Sequence, residues 1–407
     1  MGPAYEDAIL RFSCNLGSVE SPIAVVEPDG PVAVLRPGEG GWARTQLART
    51  GFWPAWNPAN GSLAISSLDT SSEEVTSTVE LVSRDGTHSG TLFRQAPLSP
   101  PAIGPRIPGY AMWSPSGETL SYVTAGAEGL TLFATGADGS GLQNPLLTGA
   151  PIFSAWSPDS ATLAVHAGSK LTLLRPAVNA FPQTLTEEAA GFRAPAFSDS
   201  GSLVFAVVAD GAVRLMSTDA SGTAPEAIAS YPGGLAFSFR PGTEDLYVGM
   251  TRSPGNGLFD ELSVVSVQTP GSKRVVTRSP FAGFFWSPAG DRVVLVVPTQ
   301  AGDGRYALQA LTLDGRYAGA TEGFVPSHDF RTYLGFFDQF ALSHHLWAAD
   351  GNTFLVAGRI PSDSVHGTFG DPVRSQVLRW RVGRGQPFEV VGPGEIGVYP
   401  PPGAPVN

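Results

Sequence analysis

One pattern of apolar and polar positions recurs along the chain: an aromatic residue, a polar turn rich in Pro and Gly, then an apolar run that begins seven residues after the aromatic. The copies begin at Trp56, Trp113, Trp156, Phe197, Phe239, Trp286 and Trp347, with spacings of 57, 43, 41, 42, 47 and 61. The residues seven further on are Leu63, Leu120, Leu163, Val204, Leu246, Val293 and Phe354, all apolar. This reads as strand, turn, strand. A second hairpin follows each copy, with Asp85-Gly86, Asp138-Gly139, Asp219 to Gly222 and Asp314-Gly315 as its clear turns. Glycine is favoured there because a tight hairpin turn needs positive φ.

A unit of roughly 42 residues with two hairpins matches a four-stranded propeller blade. The fold expected is therefore all-β, an eight-bladed propeller of antiparallel sheets forming a single domain over 1–407. The repeats span 54–94, 111–147, 154–185, 195–228, 237–276, 284–321 and 345–391. An N-terminal partial blade (8–37) contains the hairpin Ile23 to Val26 and Val32 to Leu35, read as the second hairpin of its blade. Ala8 to Cys14 is expected to add one strand to that blade. Glu395 to Tyr399, in the closing segment 392–407, is expected to supply its innermost strand, so that both chain ends close the ring. Seven blades, with the N-terminal hairpin packed outside, is the alternative.

Composition supports this. The 49 Gly and 36 Pro, with only 15% charged residues, argue against a helical bundle, and 42% hydrophobic residues suffice for a large core. The net charge of −11 opposes bulk attraction to nucleic acid or an anionic membrane. No apolar run approaches the ~20 residues needed to span a bilayer. The single cysteine, Cys14, excludes an internal disulfide.

The repeats resemble the WD40-like propeller repeats of the TolB type, in which an aromatic is followed by Ser-Pro-Asp-Gly and an apolar strand. The resemblance covers 56–391, and the nearest copies here are Ser157-Pro158-Asp159-Ser160 and Ser287-Pro288-Ala289-Gly290. TolB propellers have six blades, and the Trp-Asp and Gly-His pairs of eukaryotic WD40 blades are missing here. The resemblance implies docking to protein or peptide partners outside the cytoplasmic membrane. It therefore implies a periplasmic or extracellular location, with a signal peptide or anchor encoded upstream of Pro3.

Catalytic motifs are missing: there is no Gly-x-Ser-x-Gly elbow, phosphate loop or His-Glu-x-x-His. His328, Asp329, Asp338, His344 and His345 lie close in sequence. Adjacent histidines in an extended segment point to opposite faces, so a surface loop is expected there rather than a metal site. No cofactor is expected. The five repeat tryptophans, Trp56, Trp113, Trp156, Trp286 and Trp347, are assigned to packing between blades. The run Phe336-Phe337-Asp338-Gln339-Phe340 is read either as a partner-binding knob or as an apolar anchor for a long loop.

In a propeller, the connections between blades and the loops between second and third strands share one face, and both hairpin turns share the other. The segments expected to be long are 38–53, 95–110, 321–345, 66–79, 250–261, 298–305 and 358–376, all on the first face. The hairpin turns are expected to be short throughout. Loops held by a rigid scaffold carry function. The expected function is a non-catalytic scaffold binding a protein or peptide through this crown, with Phe259, Asp260, Arg331, Phe336, Phe337, Asp338, Arg359, His366 and Arg374 as candidate contacts. The alternative is a propeller enzyme, a hydrolase or lyase, acting on a small molecule or glycan at the channel mouth.

Overall fold

The computed structural model describes residues 20–69, 76–94, 109–126, 129–140, 145–178, 181–191, 193–253, 255, 257–300, 303–361, 374–383 and 385–405. They form eight four-stranded antiparallel sheets. Each aromatic of the repeat ends, or nearly ends, the innermost strand of its blade and pairs across the first hairpin with the apolar residue that follows. The pairs include Trp56 with Leu63, Trp113 with Leu120, Trp156 with Leu163 and Trp286 with Val293. The seven-residue offset is thus the hairpin register. Blade 5 departs from it, with Phe197 opposite Leu203 instead of Val204.

Blade 1 is made from both ends of the chain. Ile396–Val398 forms its innermost strand and pairs with Ile23–Val26, followed outward by Val32–Gly38 and Gly41–Ala48. This C-terminal strand is where the sequence places it. Two details differ. The N-terminal hairpin supplies the second and third strands, and Gly41–Ala48, expected within a long connection, is the fourth. Thr45 and Gln46 pair with Val34 and Ala33, so this stretch belongs to the ladder. Ala8 to Cys14 lies outside the described residues.

The first-hairpin turns are closed by local bonds. The residue after the aromatic is buried, as in Asn57, Ser114, Ser157 and Ser287, and its N–H donates to a carbonyl at the far side of the turn. Gly117 (φ 72°) shows why glycine recurs here: a Cβ would stand 2.4 Å from Asn57 Oδ1 of the neighbouring blade. The second-hairpin glycines Gly86, Gly139, Gly222 and Gly315 all have positive φ, as their Asp-Gly turns require.

Candidate functional site

The innermost strand of blade 8 is interrupted. Val325–Pro326 pairs with Arg359 and Gly358, and pairing resumes only where Leu346 and Trp347 meet Leu355 and Phe354. Between them run two helices, α1 (His328–Gly335) and α2 (Phe337–Phe340). Ser327 caps α1 by accepting from the Phe330 N–H, and Asp329 lies in its positive first turn. The two ends of the insert sit at opposite ends of an inner strand, so the insert runs down the axis of the ring.

Its side chains fasten it to many blades. Phe337 sits 5.2 Å from Phe284, 5.6 Å from Phe285 and 5.9 Å from Phe259 between ring centroids. Phe340 packs 4.3 Å from Trp53 and 5.2 Å from Tyr110. Gln339 accepts from Ser154 N at 2.7 Å and donates to Ser154 O at 3.0 Å, pairing with the axis-facing backbone of blade 4. It also donates to Tyr110 Oη at 2.8 Å. Asp338 accepts from Ala194 N at 3.0 Å and from Arg193 Nη1 at 3.2 Å.

This corrects the expected crown. Phe259, Phe337 and Asp338 are buried in the core, so they are not surface contacts. Segment 321–345 fills the axis because its aromatic density supplies apolar surface that the inner strands bury. Phe336 remains 42% exposed, and Arg331, Arg359 and Arg374 are exposed. Asp260 is partly buried and accepts from Arg252 N at 2.7 Å. His366 lies outside the described residues. The third and fourth strands are not always close in sequence either: residues 137–146 and 175–182 separate them in blades 3 and 4, with 141–144 and 179–180 outside the described residues. Among the segments expected as crown loops, 66–79 is largely strand, Leu63–Asp69 and Thr76–Val82, and its centre lies outside the described residues.

His344 is fully buried, against the expectation of a surface loop. Its Nδ1 lies 2.7 Å from Ser343 Oγ, while its Nε2 has no hydrogen-bond partner. Burial pushes its pKa down to about 4, opposed by the Trp53 backbone, so the ring is neutral at neutral pH. Among the described residues no three His, Cys, Asp or Glu side chains gather as metal ligands would.

The repeat tryptophans do join blades, and by more than packing. Trp56 Nε1 donates to Val398 O (3.2 Å), Trp113 Nε1 to Ala55 O (3.1 Å) and Trp347 Nε1 to Phe285 O (3.2 Å), each on the preceding blade's inner strand. Trp156 reaches the same kind of acceptor through Ser121, whose hydroxyl donates to Met112 O. Trp286 Nε1 is buried without a partner.

Where the insert leaves the axis, on the face of the hairpin turns, an open bowl of about 430 Å³ remains. Its walls come from blades 2 to 5 (Trp56, Pro58, Trp113, Pro115, Trp156, Phe197, Asp199), from the insert (Leu342, Ser343, His345) and from Pro401 and Pro402. Leu342 is 37% exposed there. On the connection face a smaller recess of about 280 Å³ lies between the end of α1 and blades 5 and 6, lined by Leu235, Leu258, Phe259, Leu334 and Gly335. Sequence reading missed the bowl because its parts are far apart in the chain and its tryptophans already had a packing role. The run Pro400-Pro401-Pro402 was the only local signal.

No family model matches the chain, and no curated protein matches it. Solved structures similar to it include a eukaryotic initiation factor, at 12% identity over 95% of this chain and 100% of that one, with a TM-score of 0.54. Another is dihydro-heme d1 dehydrogenase NirN in complex with DHE, at 14% identity over 89% and 71%, with a TM-score of 0.52. TolB from Acinetobacter baumannii aligns at 16% identity over 83% and 82%, with a TM-score of 0.38. At these identities the likeness shows the propeller fold alone. The chain is a propeller repeat protein whose eight blades and TolB-like repeat pattern stand on its own residues and strand pairing.

Proposed function

We propose that this propeller is a non-catalytic scaffold that binds a protein or peptide partner, and that the partner seats in the bowl on the turn face. One observation carries the reading: the axis is occupied by the chain's own insert, whereas the mouth below it stays open, apolar and aromatic-lined. Apolar walls with a few polar groups suit recognition. The alternative, a hydrolase or lyase working at the channel mouth, needs reactive groups converging on an open axis. Here Gln339 and Asp338 of the insert are spent on holding it to the ring, and His344, whose Nε2 has no partner, is fully buried. An envelope or extracellular setting, implied by the repeat resemblance, belongs to the same proposal and is tested by cell fractionation.

Leu342 and Phe336 are similarly exposed, 37% and 42%, on opposite faces of the ring. A photo-crosslinking residue placed at either position therefore compares the two faces on equal terms. The expected result, in source cells, is a partner adduct from position 342 and none from 336. Adducts from 336 alone return the working face to the connection side, where Arg331, Arg359 and Arg374 also lie. Hydrolysis or elimination of a glycan by purified protein would replace the scaffold reading with the enzyme.

A further inference from the structure

The bowl's rim has a charge as well as a shape. The first-hairpin turns of blades 2 to 5, residues 57–62, 114–118, 157–162 and 198–202, contain Glu118, Asp159 and Asp199 and no Lys or Arg. Turn chemistry explains Asp159, whose carboxylate accepts a backbone N–H of its own turn, whereas Asp199 accepts from the turn of the next blade. Asp159 accepts from Ala161 N at 3.0 Å and from the Ser157 hydroxyl, and Asp199 accepts from Gly242 N at 2.6 Å. Field is the consequence. Hydrogen bonding, the Ser157 hydroxyl first, holds Asp159 below the usual carboxylate range, so it stays ionised. In other turns of this face the available cations are engaged: Arg240 donates to Gly290 O, and Arg292 to Gly351 O.

The walls have a second property. The indole N–H groups of Trp56, Trp113 and Trp156 are spent between blades and their rings are buried, so the wall presents ring edges beside Pro58, Pro115, Phe197 and Leu342 and no free indole donors. An occupant whose own backbone N–H groups are few loses least on entering such a wall, and proline has none. The ring already carries such a strip, since Pro401 and Pro402 form part of the bowl, Ala404 is buried and Pro405 O accepts from Arg84 Nη1. A polyproline II segment is also ordered before it binds.

We infer that the bowl binds a proline-rich, apolar segment of a partner protein flanked by Lys or Arg, with the proline stretch against the aromatic wall and the cations against Glu118, Asp159 and Asp199. The inference rests on the scaffold reading and specifies its ligand. Charge complementarity of this kind steers association and is weakened by salt.

The probe is the end-capped peptide Lys-Pro-Pro-Leu-Pro-Arg, with Glu-Pro-Pro-Leu-Pro-Glu as its counterpart, followed by fluorescence anisotropy on the full chain. The basic peptide is expected to bind at least about tenfold more tightly than the acidic one, with the difference shrinking as salt rises. The combined change Glu118→Gln, Asp159→Asn and Asp199→Asn keeps the turn acceptors and is expected to weaken basic-peptide binding about fivefold or more, with an unchanged melting temperature. Leu342→Arg is expected to abolish it. Equal binding of both peptides, no binding of the basic one, or indifference to the triple change overturns the inference. The crosslinking outcome is separate: a partner captured at position 342 through a segment lacking Pro and Lys or Arg leaves the scaffold reading standing and removes this one alone.

Discussion

At the residue scale the repeat tryptophans show how one position serves the whole ring. Trp113 and Trp286 occupy the same place in their blades, yet only Trp113 has an acceptor for its N–H. Replacing either by Phe removes the same ring volume, so the difference between them isolates the hydrogen bond. Trp113→Phe is expected to cost about 1–2 kcal/mol more than Trp286→Phe in urea unfolding, because it removes a buried hydrogen bond whereas Trp286→Phe removes a buried donor that has no partner. Equal costs would reduce the link to packing alone. Position in the repeat made the packing role legible in the sequence, but the acceptor lies on another blade and had no local trace. His344 gives a pH prediction. Its pKa falls from 6.5 unfolded to about 4 folded, so the unfolded chain takes up the proton first. Its contribution is complete above pH 6.5 and is lost as pH falls towards 4, a change on the order of 3 kcal/mol. Burial lowers the pKa of His345 to about 4 as well, so His344→Phe is expected to reduce the slope across that window by about half, and an unchanged slope would show that His344 does not titrate there.

The insert decides matters at the element scale. Its sequence reads as a long aromatic-rich connection, and that reading locates the element while misplacing it. Helices this short, eight and four residues, carry little periodicity, and α2 consists of Phe-Asp-Gln-Phe, whose two polar residues suggest exposure. They are buried because Ser154 and Ala194 on other blades supply partners, which no local pattern can reveal. Gln339→Leu removes the partner of both Ser154 backbone groups and is expected to destabilise by about 1–3 kcal/mol for each polar group left unpaired. A cost near zero, read from chemical denaturation, would show that the side chain does not bridge to blade 4. Replacing residues 327–345 by a Gly-Ser linker is expected to lower the melting temperature sharply, unlike the trimming of a surface loop, because Phe330, Tyr333, Phe337 and Phe340 belong to the largest apolar cluster.

For the whole molecule, blade count and closure were legible because each blade repeats its own local signals, the aromatic, the turn and the apolar strand. The fourth strand of blade 1 was not, since Gly41–Ala48 has no regular apolar–polar alternation, stays at the surface and is held by pairing with Val32–Gly38. Loop length marked the connection face, whereas the open bowl lies on the face of tight turns, and the crosslinking comparison of positions 342 and 336 decides between the two faces. Deleting residues 394–407 removes the inner strand of blade 1 and is expected to give aggregation-prone protein through the exposed strand edge. A soluble monomer with an unchanged melting temperature would exclude closure by that strand.

The central claim is that the chain plugs its own axis, so that a partner meets the mouth and not the channel. Native-state hydrogen exchange tests it on the backbone N–H groups of Phe340, Ala341 and His344, which donate to Phe336 O, Phe337 O and Phe340 O inside the ring. If the insert is part of the core, these amides exchange only with global unfolding, as slowly as those of the strand Ile152–Trp156. Exchange at the rate of an open surface loop would contradict the account.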